Sequence, residues 1–335
     1  MNALARAAAC FAMLGGSALG AACGPSGGQT RGDEDARYPS RSIKIVSWAT
    51  PGGPTDLLAR ALARAGPRHF DGRRLTVVTR QGGGGAATMQ YLTGRAGDGH
   101  VLAVFTASGA VNIATGRIPF ETGDFTPLLR IQLDPFLVAV REDSPYPNLS
   151  AFFEAARARP GQLSVSGFGA ASAHFLAFAR LGAAAGDPNV RWIAYGGSAD
   201  AVVATLGGHT DAVHTNYHTV REHLRAGTMR VLAVSLPMAA LAGTPTYADH
   251  GLDVAPVHWR GVVGPPDLDP KLAADIRARL VSTIRDSEFT RYMREAAVEY
   301  AVMEDAETFG RWMASEVEAS RELLERLTLL ERDPE

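Results

Sequence analysis

Residues 43–66 read IKIVSWATPGGPTDLLARALARAG. The stretch opens as a β-branched apolar run and breaks at Pro51-Gly52-Gly53-Pro54. It resumes with Leu57, Leu58, Ala61 and Leu62 on one helical face, while Arg60 and Arg64 lie elsewhere. A strand running through a glycine turn into a helix is the opening of a βαβ unit. Two prolines stiffen the turn, and two glycines let a ligand approach the backbone without a Cβ in the way. Thr55 stands where an N-cap belongs, with Asp56 in the first turn. Helix starts offer unpaired N–H groups and a positive dipole end, so this loop reads as a clamp for an anion.

The same device recurs along the chain. Strand, glycine-rich loop and helix follow one another in VVTRQGGGGAATM, VSGFGAASAHF and IAYGGSADAVVA. Apolar runs at 43–49, 75–80, 100–107, 136–141, 163–168, 190–195, 210–216 and 229–235 alternate with helical patterns, which predicts mainly parallel α/β sheets. In such sheets ligands sit beyond the carboxyl ends of strands, where these loops gather.

Length and composition set the outer limits. A chain of 335 residues, 46% hydrophobic, suffices for two domains with a real core. A net charge of −2 excludes the basic stripe that nucleic acid or an anionic membrane requires. MNALARAAACFAMLGGSALGAAC reads as an export signal, too short and too weakly apolar for a spanning helix. Gly20-Ala21-Ala22 before Cys23 resembles a lipoprotein cleavage box, although Gly20 stands where leucine is usual, and residues 24–37 suit a flexible tether. Cys10 and Cys23 are the only cysteines, so the mature body carries no disulfide, thiol nucleophile or cysteine metal site.

An ordered series of motifs resembles one family, the solute receptors of tripartite tricarboxylate transporters, also called the Bug family. YPSRSIKIVSWATPGGPTDLLARALA is similar to its entry segment through Tyr38, Pro39, Arg41, Ile43, Pro51, Gly52, Gly53, Asp56, Ala59 and Arg60. Gly82, Gly84-Gly85, Asp98-Gly99 and Asp124-Phe125-Thr126-Pro127 follow. Pro160-Gly161, the Gly167, Gly169, Ser172, His174 set, Tyr195-Gly196, Gly207-Gly208 with Asp211, and Trp259-Arg260-Gly261 complete the series.

The resemblance implies a type II periplasmic binding protein fold, an α/β architecture of two lobes closing on a cleft. It places lobe one at 38–141, lobe two at 142–245, and a return to lobe one at 246–335. It further implies a monomeric, non-enzymatic receptor for a small organic carboxylate, without cofactor or metal, that hands ligand to tripartite tricarboxylate membrane carrier subunits. Carried over by residue, ligand contacts fall on Gly53, Thr55 and Asp56 in one lobe and on Gly169, Ala170, Ala171 and Ser172 in the other. Arg80, Gly84, Ser108 and Tyr195, at the ends of neighbouring strands, complete the expected set, and Cys23 is the lipidation position. Thr79 and Gln81 depart from the family pattern and bear on which acid is bound.

Three rivals are weaker. Gly82-x-Gly84-x-x-Ala87 loosely fits a dinucleotide fingerprint, but the next strand ends at Ser108-Gly109 without the acidic residue such a site needs. His214 and His218 have i, i+4 spacing, yet AVHTN reads as strand with the helix starting near Tyr217, so the pair straddles a boundary. An exported hydrolase acting on a similar acid is the principal alternative, but no GxSxG elbow exists and Ser172 and His174 point apart on a helix.

Overall fold

The computed structural model describes residues 38–327. The chain divides into two units, Met1–Ser40 and Arg41–Glu335. Of the first, only 38–40 are described, with a cis bond between Tyr38 and Pro39. The expected export signal, tether and Cys23 lie outside the described residues.

The second unit opens with three strand–helix pairs. They are β1 (Ile43–Ser47) with α1 (Pro54–Ala65), β2 (Leu75–Thr79) with α2 (Ala86–Thr93), and β3 (Val101–Thr106) with α3 (Ala107–Ala114). β1 lies parallel between β2 and β3, with Ile43 beside Leu75 and Lys44 beside Val101. Every residue of β3 is buried, as expected of a parallel strand covered on both faces.

β4 (Thr126–Arg141) is 16 residues long and joins two sheets. Its first part pairs antiparallel with β9 (Val257–Gly264), ending at Pro135 opposite Val257. Its second part lies between β7 (Ala212–Asn216) and β8 (Met229–Val234), starting with Phe136 opposite Asn216. Proline has no N–H to strand where the ladders change. The Asn216 side chain fastens this crossing, donating from Nδ2 to the carbonyls of Asp134 and Pro135 at 3.0 Å each.

Lobe two continues through α4 (Leu149–Ala158), β5 (Ser164–Phe168), α5 (Ala173–Ala184), β6 (Arg191–Tyr195), α6 (Ser198–Leu206) and α7 (Tyr217–Arg225). The strands run in the order β2-β1-β3-β9-β4-β7-β5-β6. After β8, Tyr247, Leu252 and Val254 still pack on the core of lobe two, and β9 then re-enters the first sheet. α8 (Pro270–Ile284), α9 (Ser287–Ala296), β10 (Glu299–Met303) and α10 (Ala306–Arg326) follow, with β10 pairing β4.

Trp259, Phe105 and Phe309 anchor the core of lobe one, and α10 buries Phe309, Met313, Val317, Leu323 and Leu324 as one stripe. Trp259 therefore packs the core rather than caging a ligand. α10 lies over β4 and α3 and reaches α5 of the other lobe, so its apolar face is spent on this chain.

Candidate functional site

The first loop differs from expectation at its cap. Gly53, in extended conformation, is the N-cap of α1, and Pro54 occupies the first helical position. Proline fits there because the first-turn N–H groups lack intrahelical partners anyway, which places Thr55 one residue too far along to cap. Gly53 N–H is spent on the Thr50 carbonyl at 3.0 Å. Pro54 has no N–H, so Thr55 and Asp56 carry the open donors of this helix end.

Asp56 is fully buried. Its Oδ2 accepts from Gly52 N–H at 2.9 Å and from Arg60 Nε at 2.7 Å. Burial alone would raise its pKa; the Arg60 hydrogen bond and the Gly52 N–H together hold it below the ordinary carboxylate value. The negative charge is thus turned inward, onto the loop's own backbone. Oδ1 is buried with no protein partner among the described residues.

The second loop is a run of glycines that other residues would strain. Gly82, Gly83, Gly84 and Gly85 all have positive φ, at 123°, 56°, 64° and 111°. Asn112 Nδ2 donates to the Gly84 carbonyl at 2.6 Å, and a Cβ on Gly84 would lie 2.7 Å from that nitrogen. Trp48 packs against Gly85. Arg80 is exposed and its guanidinium lies 4.6 Å from the centre of the Tyr91 ring on α2, an alternative engagement to a ligand.

In lobe two, Gly169 has φ 70°, donates to the Tyr195 carbonyl at 3.0 Å, and accepts from Trp192 Nε1 at 2.9 Å. Ser172 caps α5: its Oγ accepts from Phe175 N–H at 3.2 Å and donates to the Phe168 carbonyl. The hydroxyl proton is therefore directed at the backbone. Ala170 is exposed at the tip of this loop. The Ala171 carbonyl accepts from Arg117 Nη1 of lobe one at 3.1 Å, a bond that joins the two lobes beside the loop.

Between the loops lies a polar cluster that no local motif announces. The first turns of four helices contribute Thr55 (α1), Ser108 (α3), His174 (α5) and His218 (α7). The strands that cross between lobes contribute Asp134 from β4 and His258 and Arg260 from β9. Arg260 donates from Nε to Thr55 Oγ1 at 3.3 Å and from Nη1 to Asp134 Oδ2 at 3.4 Å. Ser108 Oγ lies 3.0 Å from His258 Nε2, and the His258 and His174 rings are 6.1 Å apart. Phe136 backs the group, 4.9 Å from both His174 and His214. The motif series contained His174 and Arg260 but gave no reason to join them. The register that sets Asp134 opposite His258 is a product of topology.

Burial keeps these imidazoles neutral. His174 is driven down to about 3, first by burial and then by the charges of His218 and Arg260. His258 and His214 fall well below the usual histidine value for the same first cause. Arg260 and Asp134 are 4% and 1% exposed, so the buried cation and anion cancel. Such a site offers four helix dipoles and a guanidinium to an anion. Ser108 and His258 form a hydroxyl–imidazole pair, and His258 Nδ1 is buried with no hydrogen-bond partner among the described residues. His214 lies in β7 and His218 on α7, on separate elements, which removes the one-helix geometry of a shared zinc.

The model for "Tripartite tricarboxylate transporter family receptor" matches residues 59–329. Protein BugT of Bordetella pertussis is 30% identical over 247 residues, spanning 70% of this chain and 74% of BugT. The crystal structure of a TctC solute binding protein from Polaromonas superposes with a TM-score of 0.76 at 26% identity, covering 87% of this chain and all of that one. An R. palustris protein solved with adipate superposes at 0.72, with 23% identity over 86% of this chain and 98% of its own, a likeness of fold. The chain belongs to the tripartite tricarboxylate transporter receptor family.

Proposed function

We propose that this chain is an extracytoplasmic receptor that closes its lobes on a small organic carboxylate and delivers it, unchanged, to the membrane subunits of a tripartite tricarboxylate-type carrier. The observation that carries the reading is the meeting of Thr55, Ser108, His174 and His218, from the first turns of two helices in each lobe, with the buried Asp134, His258 and Arg260. The adipate bound by the R. palustris relative supports the ligand class. One carboxylate would take the Thr55 and Asp56 N–H groups on one side and the Gly169–Ser172 backbone on the other. Gly84, Ser108 and Tyr195 would line the remaining wall, with Arg80 at its rim. We take the change of partners in β4 at Pro135, opposite Val257, as the hinge between the lobes.

Thermal and chemical denaturation against a panel of mono-, di- and tricarboxylates tests this reading. An acid present at 100 times its Kd should stabilise the protein by about 2.7 kcal/mol. A panel with no stabilising member would sink it, and product formed at turnover levels would replace it with the enzyme reading.

The receptor acts outside the cytoplasm, in the periplasm or on the envelope exterior, as a monomer, with lipid on Cys23 as its membrane tie. Cys23→Ser should move the protein from the membrane fraction to the soluble exported fraction. A wild-type chain already wholly in the soluble fraction would remove the lipid.

A further inference from the structure

One oxygen of Asp134 faces two partners from opposite lobes. Oδ2 lies 3.4 Å from Arg260 Nη1 on β9 and 3.7 Å from His218 Nδ1 in the first turn of α7. Both distances are long for a charged pair, so neither partner holds the carboxylate tightly. Arg260 also spends Nε on Thr55, and no partner for its Nη2 is found among the described residues. Asp134 and Arg260 are both more than nine-tenths buried, and their charges already cancel. A carboxylate entering beside Arg260 adds a second negative charge to surroundings where like charges repel strongly.

Resting on the receptor reading above, we infer that binding of a carboxylate is coupled to uptake of one proton by His218. The protonated imidazole becomes the partner of Asp134, and Arg260 turns its guanidinium to the incoming carboxylate. Before binding, the cluster holds Asp134 minus and Arg260 plus. Afterwards it holds Asp134 and the ligand carboxylate minus, Arg260 and His218 plus. The proton comes from solvent, and His218 is placed to receive it: its side chain is 34% exposed, whereas His174 and His258 are buried.

The charged and titratable groups around His218 come from several elements. Asp134 on β4 favours its protonation, while Arg260 on β9 and Arg221 on α7 oppose it. His174 on α5 and His258 on β9 also feel His218, and burial holds both neutral. Asp56 on α1 is turned toward Gly52 and Arg60. Although about a third of the side chain stays in reach of solvent, the packing around the rest is the largest influence and lowers the pKa of His218 from its ordinary value, so the free protein carries it neutral at neutral pH. A bound anion raises that pKa. Affinity is therefore greatest where His218 is protonated in both states. It falls by about tenfold per pH unit as pH rises between the free and bound values.

Calorimetric titration of the whole chain with acetate, malate, adipate and citrate, near pH 7.5 in phosphate and in Tris, measures the coupling. The dependence of the observed heat on buffer ionisation enthalpy should report about one proton taken up per carboxylate bound. His218→Gln should still bind, more weakly, with heats independent of buffer and an affinity that no longer changes with pH. Asp134→Asn removes the charge that needs compensating. At pH 8 it should bind about tenfold tighter than wild type, without uptake. Wild-type heats that do not depend on buffer, or full proton uptake in His218→Gln, would overturn the coupling and leave the receptor reading intact. Binding of none of the four acids between about pH 5 and 8 would overturn both.

Discussion

Gly167→Ala should destabilise the protein by about 2 kcal/mol, although glycine to alanine in a strand ordinarily helps. By restricting the unfolded chain, such a change gains about 0.4–1 kcal/mol where the native backbone permits it. Here the added Cβ would lie 2.0 Å from Trp192 Cη2 and 2.5 Å from Cζ2, so the indole must move bodily. Trp192 packs against Phe175 and Phe178, with ring centroids 5.7 and 5.5 Å away, so a shift of the indole disturbs both rings and its own hydrogen bond to the Gly169 carbonyl. Overpacking of this kind costs about 1–3 kcal/mol or more, which exceeds the entropic gain. The damage reaches the site, because Trp192 Nε1 holds the Gly169 carbonyl and with it the loop that ends in Ser172. Carboxylate affinity should fall at least about tenfold, the equivalent of about 1.4 kcal/mol. Urea denaturation and calorimetry measure the two effects separately. A variant as stable and as tight-binding as wild type would mean that Trp192 does not shape the loop. Trp192→Leu in the Gly167→Ala background makes room and should recover stability while leaving affinity low.

What could be read from the sequence, and what could not, follows from where polar residues are buried. The eight apolar runs fall on β1 to β8, the fourth on only the second half of β4, and most of these strands bury hydrophobic residues, as in Ala103, Val104 and Phe105. β9 was visible only as the Trp259-Arg260-Gly261 match. Along VHWRGVVG, His258 and Arg260 interrupt the apolar residues Val257, Trp259, Val262 and Val263, so no continuous apolar run marks the strand. The first half of β4 fails for the same reason, with Gln132 and Asp134 buried on one face and Leu129 and Ile131 on the other. Local rules break where function needs buried polarity. The strands that resisted reading are therefore the ones that build the crossing and its polar cluster. The loops show the converse. PGGPTD and the four glycines at 82–85 were legible because Gly52 and Gly82 to Gly85 take positive φ and Pro54 fits the first helical position. Thr55 falls outside the cap because Pro54 fits the first helical position and so sets Gly53 at the N-cap.

Arg260→Met should cost about 3–5 kcal/mol, a large part of the 5–15 kcal/mol that holds a typical domain folded. Methionine fills most of the space but removes the cation that lies 3.4 Å from Asp134 Oδ2. The carboxylate, 1% exposed, is then buried without its partner, and Thr55 Oγ1 loses its donor. His218, 3.7 Å from the same oxygen, offers partial relief once protonated. The loss should therefore be smaller at pH 5 than at pH 8. Pairing the change with Asp134→Leu separates the cost of an orphaned charge from the loss of packing. Replacing both members of a buried ion pair with apolar residues of similar volume is often neutral or stabilising. Asp134→Leu/Arg260→Met should then regain most of the lost stability, read as the denaturation midpoint at a common slope. It should nevertheless bind no carboxylate, because the guanidinium is gone and a neutral, apolar cleft floor cannot replace the hydration of an anion. Recovery of stability without recovery of binding would mark Arg260 as a ligand contact that the fold merely tolerates. A double variant that regained both would reduce the Asp134–Arg260 pair to a structural strut and move the anion site to the helix ends alone.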